Sequence, residues 1–187
     1  MLPKANAQSK SGIESYHFLS NNAAYVWMPV VHHVGKKGFY TEMRYNYEEL
    51  NTASVYAGKS FSRDSALNFT VTPMLGLVFG KYNGASVALN AEAEYKKIFM
   101  SVQTQYTISR TGAADNFFYT WAETGYQPVK WFYAGVSAQL TKIHVEKAEP
   151  EYGALIGFNI KKINIPVYIF SPFSKTQNLI IGINAEW

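Results

Sequence analysis

Two glutamates one residue apart are the most chemically suggestive pair in this chain of 187 residues. In ASVALNAEAEY, Glu92 and Glu94 fall on one side of an extended strand, ~7 Å apart by strand rise. Paired carboxylates can divide general-acid and general-base work. In an enclosed space they more often hydrogen-bond to neighbours, and Ser, His and Asp are too scattered here to assemble a triad. His32 and His33 are adjacent, so in a strand they point opposite ways and cannot share a metal. They read as rim residues at a turn. His17 and Ser20, three apart, also face opposite sides, and His144 sits in a charged loop. Cysteine is absent, which removes disulfides, thiolate chemistry and Cys-based zinc sites. No phosphate loop, metal motif or nucleic-acid signature is present, and a formal charge of +4 is modest. The expectation is no catalytic residue, no metal, no cofactor and no nucleic-acid partner.

The elements that would position such residues are strands. From about residue 38 onward, apolar and polar residues alternate with period two. Phe39, Thr41, Met43, Tyr45 and Tyr47 oppose Tyr40, Glu42, Arg44, Asn46 and Glu48. Val87, Leu89, Ala91 and Ala93 oppose Asn90, Glu92 and Glu94, and Met100, Val102 and Tyr106 oppose Phe99, Ser101, Gln103 and Gln105. Similar stretches begin near Ala53, Leu67, Phe117, Trp131, Tyr152 and Ile163. No run of ~18 apolar residues exists to make a spanning helix. Lipid also admits closed barrels, which satisfy every backbone group between strands. Apolar residues make up 48% of the chain with slightly negative mean hydropathy. That balance fits a soluble all-β protein or a barrel whose strands are polar at every second residue.

Two features favour the barrel in a membrane. The runs are about 9 to 13 residues, whereas soluble strands average roughly 5–6 and membrane strands need ~9–11. Aromatics also recur near segment ends, as in NFFYTW and KWFY, where girdles form at membrane interfaces. Counting turns gives eleven segments from Ala23, and GIESYHFLS supplies a twelfth. The predicted fold is an all-β, closed antiparallel transmembrane β-barrel over residues 12–187, with about 12 strands or alternatively 10. Residues 1–11 read as a leader. Within it Ala5-Asn6-Ala7 before Gln8 resembles a signal-peptidase site, without the apolar segment that should precede it. One end carries mostly tight turns with Lys36, Lys37, Arg63, Lys96, Lys97, Lys130, Lys161 and Lys162. Such a basic rim suits anionic headgroups. Pro29, Pro73 and Pro166 interrupt proposed strands, and bulges at Thr72-Pro73 and Ile165-Pro166 would accommodate two of them. Lys59, on an apolar stripe, is expected to snorkel or turn inward.

The chain stops on NLIIGINAEW, with Leu179, Ile181, Ile183, Ala185 and Trp187 on one face. With the serial alternation before it, this terminal pattern resembles the small bacterial outer-membrane β-barrel proteins. The resemblance implies residence in the bacterial outer membrane and contact with membrane lipids. It also implies that Leu179, Ile181, Ile183, Ala185 and Trp187 are read by the barrel-assembly machinery. Fold alone implies no activity.

If the apolar stripe faces lipid, the other stripe faces the lumen. Its members are Glu42, Arg44, Asn90, Glu92, Glu94, Gln103, Gln105, Tyr119, Trp121, Glu123, Tyr133 and Gln139, joined by Tyr56 and Asn159. Four acids against one Arg would favour cations in a narrow channel for small polar solutes. The alternative is a closed structural or accessory barrel held by Glu–Arg and Gln–Tyr hydrogen bonds. Barrels of about eight strands are filled, while porins of ~16–18 leave a channel, and twelve lies between. A lipid-modifying barrel enzyme and a soluble ligand-binding barrel are the remaining readings.

Overall fold

A computed structural model describes residues 9–20, 23–143, 148, 150–174 and 176–187. The cleavage-like Ala5-Asn6-Ala7-Gln8 and His144 lie outside the described residues. The chain forms β1(Lys10–Ser20), β2(Val26–Val34), β3(Phe39–Tyr45), β4(Thr52–Lys59), β5(Phe61–Arg63), β6(Leu67–Gly80) and β7(Gly84–Tyr95). It continues with β8(Ile98–Ser109), β9(Phe117–Val129), β10(Phe132–Ile143), β11(Glu151–Ile160), β12(Ile163–Phe170) and β13(Asn178–Glu186). All ladders are antiparallel. Strands pair with their sequence neighbours except that β4 and β5 do not pair with each other and both pair with β6, and β1 pairs with β13. The sheet is therefore closed. β5 continues the line of β4 against the same neighbour, β6, so the ring has twelve positions.

The alternation sorts outward from inward. Met43, Leu75, Leu77, Val87, Ile108 and Val136 are exposed on the outside, Leu75 to 67%. Glu42, Arg44, Ser54, Thr72, Ser86, Gln105 and Ser137 are buried on the inside. A soluble protein rarely turns such a continuous apolar belt to water. Hydrocarbon is the solvent that fits it.

Prolines are handled differently from the bulges the sequence suggests. Gly58 pairs with Met74 and Phe61 with Val71, one register on both sides of Pro73. The ladder simply skips Lys59 and Ser60, because Pro73 has no N–H to give. Ser60 turns to the other side instead, donating its N–H to the Gly38 carbonyl at 2.8 Å. On β12, Asn164 pairs with Asn184 and Val167 with Ile181, again without a shift. The Pro166 ring fits because residue 182 is glycine: a Cβ there would lie 2.6 Å from Pro166 Cγ. Pro29 pairs with Ser15 on one side, and the ladder to β3 begins only at Val30. The register shift found among these ladders lies between Phe132 and Ala134, on β10 against β9. Lys59 snorkels to the β2–β3 turn, where its ammonium donates to the Lys37 carbonyl.

The short turns carry a conformational cost. Lys96 and Lys161 each hold φ of +57°, a left-handed conformation that glycine or asparagine adopts more cheaply. Each is followed by a second lysine.

Candidate functional site: the barrel lumen

Among the described residues three cavities lie inside the ring, one of them, about 230 Å³, between Glu94, Phe99, Glu123, Tyr133 and Asn164 at the short-turn rim beside Lys97; the other two make up the candidate site. The lower one, toward the short turns, measures about 640 Å³ and takes Asn90, Glu92, Glu94, Gln103, Glu123 and Tyr133 from the predicted set. Further acids reach it from β1 and β13, Glu14 and Glu186, and from the β5–β6 turn, Asp64. Lys161, Lys162 and His32 are the basic groups along it. The upper one, about 260 Å³, takes Gln103, Tyr119, Trp121, Glu123 and Gln139. Among the described residues its only charged lining residue is Glu123. Both cavities share Tyr16, Ser101, Gln103, Glu123 and Tyr168, which form the neck between them. Asn159 lines the lower cavity.

Glu42, Arg44 and Gln105 point inward but line neither cavity. Arg44 is 5% exposed and Glu42 4%. The guanidinium pairs with Glu42, and Tyr40 donates its hydroxyl to the same carboxylate. A second guanidinium nitrogen donates to Gln105 Oε1 at 2.6 Å. The Tyr47 and Tyr56 rings flank the Arg44 cation, 4.5 and 4.4 Å from their centroids. Tyr56 donates to Glu48 at 3.0 Å. The lumen's one arginine is thus withdrawn into the wall, and its charge is matched there.

Tyr47 departs from the stripe assigned to it. β3 ends at Tyr45, and Asn46 takes a left-handed φ of +57°. That turn breaks the alternation, so Tyr47 swings inward and donates to Gln103 at 2.9 Å. It also meets Tyr119 edge-on at 5.6 Å.

Aromatics fill one side of the cross-section. Tyr133, Leu155, Tyr168, Phe170 and Ile180 form a buried cluster, with Tyr16, Phe18, Phe99 and Trp121 packed on it. Trp121 of β9 reaches Tyr168 of β12 at 4.8 Å and Phe170 at 5.5 Å, over β10 and β11. It also approaches Tyr16 of β1 at 6.1 Å. Strands β10 to β13 lie between those two in the ring, so this contact crosses the lumen. Tyr133, beside the register shift, stands against Asn164 and Phe99. Its ring occupies the space a Cβ at Gly157 would need.

The histidines separate as strand geometry requires. His33 turns outward to Ser11 Oγ at 2.8 Å. His32 turns inward, 3.5 Å from Glu14 and 3.8 Å from Glu186, joining β2, β1 and β13 at the seam. Among the described residues no cluster of three or more His, Asp or Glu is arranged to hold a metal. His17 bonds not to Ser20 but to Ser15 at 3.2 Å, and through Nδ1 to the Tyr25 hydroxyl at 2.6 Å. A phenol is the better donor of that pair, which leaves Nε2–H to donate to Ser15 Oγ. Trp27 Nε1 donates to the same oxygen at 2.8 Å. In that assignment the serine accepts twice and has no base. The chain of bonds satisfies polar groups on the outer surface.

Sequence parity alone could have given Glu14, Tyr16, Asn184 and Glu186, which continue the inward stripes of β1 and β13. Tyr168 and Phe170 carry no such signal, because both faces of β12 are largely apolar.

No family model and no curated protein matches the sequence. Among solved structures the chain is similar to the KdgM porin, with a TM-score of 0.67, 14% identity and coverage of 93% of this chain and 98% of that one. A KdgM porin in complex with disordered oligogalacturonate gives 0.65 at 14% identity, covering 94% and 98%. The NanC porin gives 0.63 at 11%, covering 93% and 97%. The likeness is one of fold: the chain resembles the small bacterial outer-membrane barrels, and with its apolar belt turned outward that fold belongs in the bacterial outer membrane.

Proposed function

We propose that this chain is a narrow outer-membrane channel for small polar solutes, with cations favoured. The observation that carries it is the lumen's charge. Six acids, Glu14, Asp64, Glu92, Glu94, Glu123 and Glu186, line the lower cavity against Lys161, Lys162 and His32, while Arg44 is neutralised in the wall. Field lines focus in a low-dielectric passage, so carboxylates there select by sign. The oligogalacturonate of the KdgM complex is a chain of carboxylates, which this lumen would repel. In planar bilayers the purified protein is expected to give discrete, cation-selective steps. Glu92→Gln with Glu94→Gln should lower that selectivity. Silence at all voltages, or selectivity indifferent to both substitutions, would sink the reading.

One observation favours a closed accessory barrel instead, the Tyr16–Trp121 approach across the lumen. Silence in the same bilayers is the result that reading requires.

The outer surface supports the membrane setting of either role. Trp131, Tyr126 and Tyr95 are exposed near the short turns, and Tyr152, Tyr25 and Trp27 near the other end. These positions suit aromatic girdles at two interfaces. The terminal stripe, Leu179 to Trp187, supports recognition by the barrel-assembly machinery. Trp187 is exposed while its backbone exchanges two 2.9 Å hydrogen bonds with Ser11. Trp187→Ala keeps that backbone pairing. It is therefore expected to slow catalysed insertion into assembly-competent vesicles while leaving spontaneous refolding in detergent unchanged. Equal loss in both assays would mean a purely structural role.

A further inference from the structure

We propose that the upper chamber binds a small alkylated ammonium ion; the inference rests on the cation-favouring lumen above. The chamber has an unusual wall for a water-filled passage. Tyr16, Tyr119, Trp121 and Tyr168 supply aromatic surface, and Glu123 is the single charge among the described residues that line it. Among the described residues no lysine or arginine lines it. Glu123 Oε2 is buried without a hydrogen-bond partner among the described residues. Trp121 and Tyr168 meet at 80°, and Trp121 and Tyr16 at 42°. Rings set at angles around one carboxylate can surround a cation on several sides with their negative faces.

The kind of cation follows from desolvation. An inorganic ion must exchange its water for several oxygens, which hard cations demand. Ser101, Gln103, Gln139 and Thr141 offer some oxygens here, but Gln103 Oε1 already accepts from Tyr47, and the aromatic faces cannot supply the rest. An alkylated ammonium spreads its charge over apolar surface, holds water weakly and gains from ring contact and from Glu123 together. A chamber of about 260 Å³ is on the scale of such an ion rather than of a drug-sized ligand. The same chemistry already operates in the adjoining wall, where Arg44 lies over the rings of Tyr47 and Tyr56.

The test uses the full chain refolded in detergent, with tetramethylammonium chloride as the probe and potassium chloride at equal ionic strength as the reference. Calorimetric titration is expected to show saturable binding of tetramethylammonium. Glu123→Gln, nearly isosteric, should weaken it about tenfold or more. Glu49→Gln, in an exposed loop away from the chamber, should leave the affinity in place. Heat-modifiable migration on gels verifies that each variant has folded. If the wild type shows no saturable binding, or Glu123→Gln binds equally well, the inference is overturned. Bilayer currents keep the two ideas apart. A conducting barrel that tetramethylammonium neither binds nor blocks defeats the chamber and spares the channel. Binding to a barrel that never conducts does the reverse.

Discussion

Arg44→Ala is expected to cost the barrel about 3–5 kcal/mol of unfolding free energy, the range for removing one partner of a buried ion pair. Glu42 would remain, 4% exposed, with only the Tyr40 hydroxyl to offset its charge. Gln105 Oε1 would lose its 2.6 Å donor, and Tyr47 and Tyr56 would lose the cation between them. Urea unfolding in lipid vesicles, followed by tryptophan fluorescence, measures the loss. Arg44→Met combined with Glu42→Gln should recover most of it, because the penalty comes chiefly from the stranded charge rather than from the missing attraction. A single substitution costing under about 1 kcal/mol would show that water reaches Glu42 and that the wall is open there.

The second large effect is expected at Trp121. Trp121→Ala removes the ring that bridges β9 to β12 and approaches β1. Truncating a packed tryptophan costs about 3–5 kcal/mol, so unfolding should begin at clearly lower urea. The same change widens the neck side of the upper cavity, which Trp121 lines. Single-channel current should rise while cation preference persists, since Glu123 is untouched. Lower stability with unchanged current would place the limiting constriction elsewhere. Higher current with full stability would mean that the indole gates the lumen without supporting it.

The sequence made the fold legible because lipid imposes a strict period. Along β7 and β8 almost every second residue is polar, with Ala88 and Phe99 the apolar exceptions, so inward and outward faces could be assigned one residue at a time. The same rule failed wherever period two broke. Asn46 resets the alternation with a left-handed turn, which is why Tyr47 belongs inside. β12 places Tyr168 and Phe170 inward without a polar residue between them to say so. Proline carries a signal for a missing donor but not for how the ladder absorbs it, and Pro73 is absorbed by a gap in one register. Contacts across the lumen were not legible at all. Tyr16 and Trp121 approach because the ring closes at a given girth, a global dimension that no local pattern encodes. The candidate site was therefore partly visible: Gln103 and Glu123 of its neck belong to the predicted lumen stripe, whereas Tyr16 and Tyr168, which complete the neck, were not assigned to it.

The pairing of β1 with β13 has a consequence for how the molecule comes to exist. Nearly every ladder joins strands a few residues apart along the chain, so a hairpin can form, slip and be repaired locally. One ladder joins strands far apart along the chain, β1 and β13, from Gly12 opposite Glu186 to Ser20 opposite Asn178. The entropy of that long closure, and the cure of the two raw edges left by an unclosed sheet, are concentrated in a single zipper. A sheet not yet zippered there would leave two edges in a medium that offers their backbone groups no partner. Closure of this barrel accordingly has one definite location, the join between β1 and β13.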